Sequence, residues 1–278
     1  MTTTDARVEL RPQAMPSALA IGLARGRLEI KQFFREEDAV VFTFAFPIIL
    51  LLIFGSVFSS DIAPGVTFSQ YFVAGMIAAG LLGTSFQSLA IQIPIERDDG
   101  TLKRLALTPM PHVSYFIGKV ILVFVTAVAQ AAILLAVGAL LFGLELPDSA
   151  GRWLTFAWVA ALGTTSCTLL GIAFSSVPRS GKSAPAVVTP IALVLQFISG
   201  VFFVYSELPA WMQHVAALFP LKWMTQGMRS VFLPEGFAAE EVAGSWEHGR
   251  IALVLSAWTV AGLILCMRTF RWKGRDAG

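Results

Sequence analysis

Six long apolar stretches limit what this 278-residue chain can become. They run over residues 39–58, 71–95, 115–142, 153–177, 184–205 and 251–267. A hydrocarbon layer is about 30 Å thick and a helix rises about 1.5 Å per residue, so roughly 20 apolar residues cross it. Nothing inside that layer hydrogen-bonds an exposed backbone, so such stretches are expected to be helical. Composition agrees, because 14% of the residues are charged, against about 25% in a soluble domain. The expected fold class is therefore an all-α polytopic membrane protein with six transmembrane helices. Pro47, Pro185 and Pro190 predict kinks or helix starts within it.

Lysine and arginine set the expected orientation. Fifteen of them lie before the first stretch, between the second and third, between the fourth and fifth, and after the sixth; four lie in the alternate connections. An even number of spans with both termini in the cytoplasm accounts for this split. Met1 to Pro16 is a polar tail without the apolar core of a signal peptide, so insertion is expected to be driven by the spans. Residues 269–278 form a basic cytoplasmic tail. The expected site is a bacterial inner membrane. No basic face suggests nucleic acid, and Cys167 and Cys266, inside apolar runs, suggest neither a disulfide nor a metal site.

Two connections are more than loops. Residues 17–38 carry a stripe of Leu19, Leu23, Gly26, Ile30, Phe33 and Phe34, with Arg25, Glu29, Gln32 and Glu36 opposite. This predicts an amphipathic helix lying on the cytoplasmic membrane surface. The outer connection, 206–249, has an apolar first half that includes Trp211, Phe219 and Trp223 and is broken by Pro220. It predicts a re-entrant or interfacial helix pair. Inside the spans ionisable groups are nearly absent; Lys119, near a span end, is expected to snorkel to the interface. Gln87, Gln92, Gln130 and Gln196 are expected mostly to bond between helices. A proton- or sodium-coupled carrier needs a carboxylate or relay within the membrane, and none is found. Ser180-Gly181-Lys182-Ser183 ends like a phosphate-binding loop, but Ser176 stands where the first glycine belongs and Pro178 interrupts it. The chain reads as a pathway whose energy must come from a partner.

The segment between the second and third spans is Glu96-Arg97-Asp98-Asp99-Gly100-Thr101-Leu102-Lys103-Arg104-Leu105, followed by Thr108-Pro109. On the fifth span come Leu195, Ile198, Ser199 and Val201, then Leu208-Pro209, Pro220-Leu221 and Arg229. In order and spacing these resemble the membrane subunit of an ATP-binding-cassette exporter of the second permease class, most like the antibiotic-resistance permeases. Trp223 departs from that pattern, which usually has His, Tyr, Ser or Arg there. The resemblance implies a dimer, most simply a homodimer, with two separate ATPase subunits docked on the cytoplasmic side. It implies no catalytic residue, cofactor or metal in this chain, with ATP and magnesium on the partner.

Segment 96–109 is the expected coupling element: Gly100 permits a sharp turn, Thr101 caps a short helix, and Leu102 and Leu105 share its face. Glu96 and Arg97 are expected to pair with the ATPase or with the N-terminal helix. The resemblance further implies that spans two and five line the cavity, through Phe72, Met76, Phe86 and Gln87 with Gln196, Phe197, Phe202 and Phe203. Leu208, Pro209, Pro220, Leu221 and Arg229 would form an outer gate. The expected cargo is an amphipathic or hydrophobic drug-like compound. Lipid, glycolipid or polysaccharide export is the first alternative, and a secondary transporter or a membrane scaffold the more distant ones.

Overall fold

The structure is a computed structural model that describes residues 16–58 and 60–270. The expected polar tail before Pro16 and nearly all of the basic tail lie outside those residues. The molecule is an all-α polytopic membrane protein. Among the described residues, five helical stretches are long and apolar enough to cross a bilayer: Glu37–Val57, Phe68–Asp98, His112–Phe142, Ala150–Phe174 and His248–Thr269. They are preceded by α1 (Ala18–Arg35) and named in order. α2 is the first span. α3 (Phe68–Leu82) and α4 (Ser88–Asp98) form the second, joined by a π-helical turn at Gly83–Gln87. α5 (Thr101–Ala106) precedes the long spans α6 and α7. Then come α8 (Ala184–Ile198), α9 (Ala210–Ala217), α10 (Pro220–Phe232) and the last span, α11. A two-stranded hairpin, β1 (Asp61–Ala63) and β2 (Val66–Thr67), lies between α2 and α3 and turns at Gly65 with φ +76°. Residue-by-residue propensity did not anticipate it.

α3 is the central pillar. Every residue except Gln70 is buried, and it packs against α2, α6, α7 and α10. Burial on all sides requires small residues where backbones meet. A Cβ on Gly75 would stand 3.1 Å from the Val201 Cα, and one on Gly80 would stand 2.8 Å from the Gln130 Cγ. The N-terminus of α3 is closed by a capping box in which Thr67 and Gln70 bond each other's backbone amides. Gln70 Nε2 also donates to the Gly143 carbonyl at 3.0 Å, tying this end to the end of α6.

Three expectations need correction. The apolar stretch 184–205 is not one spanning helix: α8 stops at Ile198, and Gly200 turns the chain at φ +74°. At 15 residues it rises only about 22 Å. Val201 and Phe202 remain apolar because they are buried in protein, with Val201 against Gly75. On α1 the buried line is Gly22, Gly26, Glu29 and Phe33; it shares Gly26 and Phe33 with the expected stripe but takes Gly22 and Glu29 in place of the leucines. Gly22 and Gly26 meet Ile117 and Ile121 of α6, while Leu19 and Leu23 stay exposed, available to lipid. Glu29, expected to face water, is thus turned into the protein. Finally, Gln87 does bond across helices, to Thr189 Oγ1 at 3.3 Å, but neither amide atom of buried Gln130 has a hydrogen-bond partner among the described residues.

Candidate functional site

The segment between α4 and α6 is held in place by its own short-range chemistry. α4 ends at Asp98, and Gly100 adopts φ +78°, which a Cβ would disfavour. Asp99 Oδ1 accepts from the Thr101 amide at 2.8 Å. Gly100 is the N-cap residue of α5, so Thr101, expected to cap it, is already the first helical residue; its amide is taken up by Asp99, and its hydroxyl accepts from Arg104. Leu102 is fully buried in a cluster with Leu89, Ile93, Tyr115, Val123 and Ile172, and Leu105 packs against the same cluster. Lys103, Arg104 and Leu107 point outward, Leu107 being 81% exposed. A six-residue helix is too short to be stable alone, so its position is dictated by Leu102 and by the ties around it.

Those ties reach four other elements. Lys119 of α6 has no exposed surface and pairs with Glu29 of α1 at 2.9 Å and with Glu96 of α4. It does not snorkel, because two carboxylates come to it. Tyr115 donates to Glu96 Oε2 at 2.8 Å, and Arg25 pairs with Glu29 at 2.7 Å. Glu96 thus reaches the N-terminal helix through Lys119. Arg97 turns the other way and donates to the Ser175 carbonyl at the end of α7 at 3.1 Å. Asp98 Oδ2 accepts from the Gly181 amide at 2.6 Å, in the turn before α8. That turn is Ser180 to Ser183, with the two serines bonding each other. Its resemblance to a phosphate loop is superficial, since the Gly181 amide is held by Asp98. A Cβ on Gly181 would stand 2.7 Å from the Ile95 Cα. Gly181→Ala is therefore expected to separate α4 from α8 and to destabilise the protein by about 1–3 kcal/mol. A thermal melt of the purified variant checks it, and an unchanged midpoint would count against this contact.

A second polar cluster lies beyond the far end of α8, away from α5. All 13 residues of α10 are buried. Arg229 is fully buried; its Nε donates to Glu241 at 2.6 Å, its Nη1 to the Gly200 carbonyl at 3.4 Å, and its guanidinium lies 4.9 Å from the Tyr71 ring centre. Lys222 sits 3.6 Å from the Trp223 ring centre and 4.0 Å from Glu247, and donates to Gln226 Oε1. Burial pushes the Lys222 ammonium down to about 8, with Glu241 opposing and Arg229 assisting. Because the unfolded chain then binds this proton more tightly, stability rises with pH through that window. Between about pH 7.5 and 9.5 the native chain is expected to gain about 2 kcal/mol over Lys222→Met. Parallel melts across that range would refute this if the two curves kept a constant separation.

The expected cavity residues divide. Phe72, Met76 and Phe202 are buried in helix packing, with Phe72 stacked on Phe54 and near Phe202; Phe86 packs on Phe174. Gln87 and Gln196 are half-buried, and Phe197 and Phe203 are exposed. Of the expected gate, Pro220, Leu221 and Arg229 are interior residues of the α10 packing, Leu208 is half-buried and Pro209 exposed. Residue patterns did not single out Glu29, Lys119, Asp98, Gly181 or Glu241 as members of these clusters. The available signal was the scarcity of charge in the spans, which makes each one that remains informative.

Comparison with known proteins supplies the family. A model described as ABC-2 type transporter matches residues 25–233. In Escherichia coli K12, YbhR, named as a multidrug ABC transporter permease, is 23% identical over 172 residues, which are 62% of this chain and 46% of YbhR. The chain thus matches less than half the length of that relative. YvfS of Bacillus subtilis, named as a transport permease, is 22% identical over 198 residues, covering 69% of this chain and 77% of YvfS. The ycf38 transport permease of Porphyra purpurea is 24% identical over 218 residues, covering 76% and 74%. The matched residues include α5, the Lys119 cluster and α10, and the chain belongs to the ABC-2 type transporter family.

Proposed function

We propose that this chain is the permease subunit of an ATP-driven exporter that moves an amphipathic or hydrophobic compound out of the cytoplasm or the inner leaflet. It works as a homodimer in a bacterial inner membrane with both termini in the cytoplasm, α8 and the buried turn that follows it together making the fifth of six crossings. The observation that carries the reading is the construction around α5. Leu102 roots this helix in the core while Lys103, Arg104 and Leu107 face outward, as a docking surface for a separate ATPase requires. Glu96, Arg97 and Asp98 then tie the same stretch to α6, α1, α7 and the start of α8. Movement of α5 is thereby delivered to several membrane helices at once. Two packed arrangements of these helices would give alternating access. ATP and magnesium belong to the partner. Cargo contacts come from the accessible surface of the π-helical turn before α4 and of α8 with the turn after it, where Gln87, Gln196, Phe197 and Phe203 offer apolar surface with two amides.

The test is to isolate the chain with its partners and to measure export and cargo-stimulated ATP hydrolysis. A stoichiometric ATPase is expected to accompany it. Glu96→Gln keeps the complex but is expected to lower export at least tenfold, because the link from α4 through Lys119 to α1 is weakened where the push enters. Export at the native rate in Glu96→Gln, or a chain that stays alone where a control complex of the class survives the same detergent, would overturn the reading.

A further inference from the structure

One large cavity among the described residues is not where cargo is expected. It is an apolar crevice of about 1050 Å3 between α6, α7 and α11. α6 packs mainly on α1 and α3, and α7 on α11 and α10, so these two neighbours in sequence diverge. Val120, Phe124 and Val128 leave one wall exposed, and small residues, Ala157, Ala160 and Ala161, fail to fill the other. The lining extends along α6 from Val113 to Leu135, about 33 Å of helix, close to the thickness of a hydrocarbon layer. Its polar atoms are few, and the hydroxyl of Thr168 is already bonded to the Thr164 carbonyl at 2.7 Å.

Such a space cannot stay empty in a bilayer without forfeiting dispersion contacts along both walls. Water is a poor occupant, because it needs two to four polar partners. Charge then selects the kind of lipid. At the α5 end, exposed Arg268 follows the lining residue Met267. At the opposite end the connection from α6 to α7 carries exposed Glu145 and Asp148. We propose that the crevice holds a resident anionic phospholipid, its acyl chain lying between α6 and α7 and its headgroup at the Arg268 end. Basic groups beside membrane helices attract anionic headgroups. The lipid would complete the wall between α6 and α7, and the assignment is independent of what the protein transports.

The full chain is placed in nanodiscs of phosphatidylglycerol or phosphatidylcholine. Each is doped with the matching phospholipid bearing a photoreactive group at its acyl end, and labelled peptides are mapped by mass spectrometry. Label is expected to concentrate at least fivefold on residues 113–135 and 156–172 over the exposed face of α2 around Phe42, Phe46 and Ile49, and more strongly in phosphatidylglycerol. Ala157→Trp with Ala161→Trp should abolish that excess, and the milder Ala161→Leu should reduce it if the double variant does not fold. Arg268→Gln should leave tail labelling but remove the headgroup preference. Label spread evenly over α2 and the crevice would mean annular lipid only and would overturn the proposal. So would an excess unchanged by the filling variants, and equal labelling in the two lipids would overturn the headgroup assignment.

Discussion

Lys119→Met is expected to lower the stability of the purified protein by about 3–5 kcal/mol, the loss typical of removing one partner from a buried ion pair. The side chain removed is fully buried, and it is the ammonium on which Glu29 and Glu96 converge. Methionine conserves the bulk but leaves two carboxylates facing each other, one of them still held by Arg25 and the other by Tyr115. Without the ammonium between them, like charges this close repel and each loses a charge-assisted bond that burial had made necessary. Adding Glu29→Gln and Glu96→Gln to Lys119→Met should recover most of the loss, since neutral amides can bond where the charges cannot coexist. Coupling should not recover, because the charged link from α4 to α1 is gone. Melts within about 0.5 kcal/mol of the native chain, a value typical of exposed pairs, would show that water reaches the cluster and that Lys119 does not bind these helices together.

How this cluster escapes the sequence is instructive. Helical periodicity ranks residues by hydrophobicity, so Glu29 falls on the polar side of α1 and is read as solvated. What turns it inward is the pair Gly22 and Gly26, whose missing side chains let α1 lie against Ile117 and Ile121 of α6. The periodicity of one segment holds no information about which segment it will meet. Lys119 has the same ambiguity: a cation near a span end reads as snorkelling unless its partners, 90 and 23 residues away in the chain, are known. The spans themselves are legible because the solvent dictates them, and α10 is legible as packed because it is too apolar for a free loop. The early end of α8 is not, since Val201 and Phe202 are as apolar in a buried turn as they would be in a helix. Gly100 as the N-cap of α5 was available from the turn it permits, and the threonine beside it diverted the assignment.

Arg229→Ala is expected to have the second large effect, of about 3–5 kcal/mol, for the same electrostatic reason in a different place. Arg229 joins three separate stretches: Glu241 in the connection before α11, the Gly200 carbonyl where α8 turns, and the Tyr71 ring near the start of α3. Alanine leaves the Glu241 carboxylate, 4% exposed, without its guanidinium, and leaves a void under the turn that redirects the chain after Ile198. Arg229→Lys should rescue only part of the loss. One ammonium cannot match the planar fork that lets the guanidinium serve Glu241 and Gly200 together and lie on Tyr71. If charge removal rather than bulk is the cause, Arg229→Met combined with Glu241→Leu should be nearer the native chain than Arg229→Ala alone, as buried pairs replaced by apolar residues often are. The local reading is limited proteolysis: residues 233–247 should become cleavable in Arg229→Ala while the α5 region keeps its native resistance, because the Lys119 cluster does not share a partner with Arg229. Loss of protection at both ends together would mean that the two polar clusters belong to one cooperative unit. In that event the turn at Gly200 would respond directly to whatever moves α5.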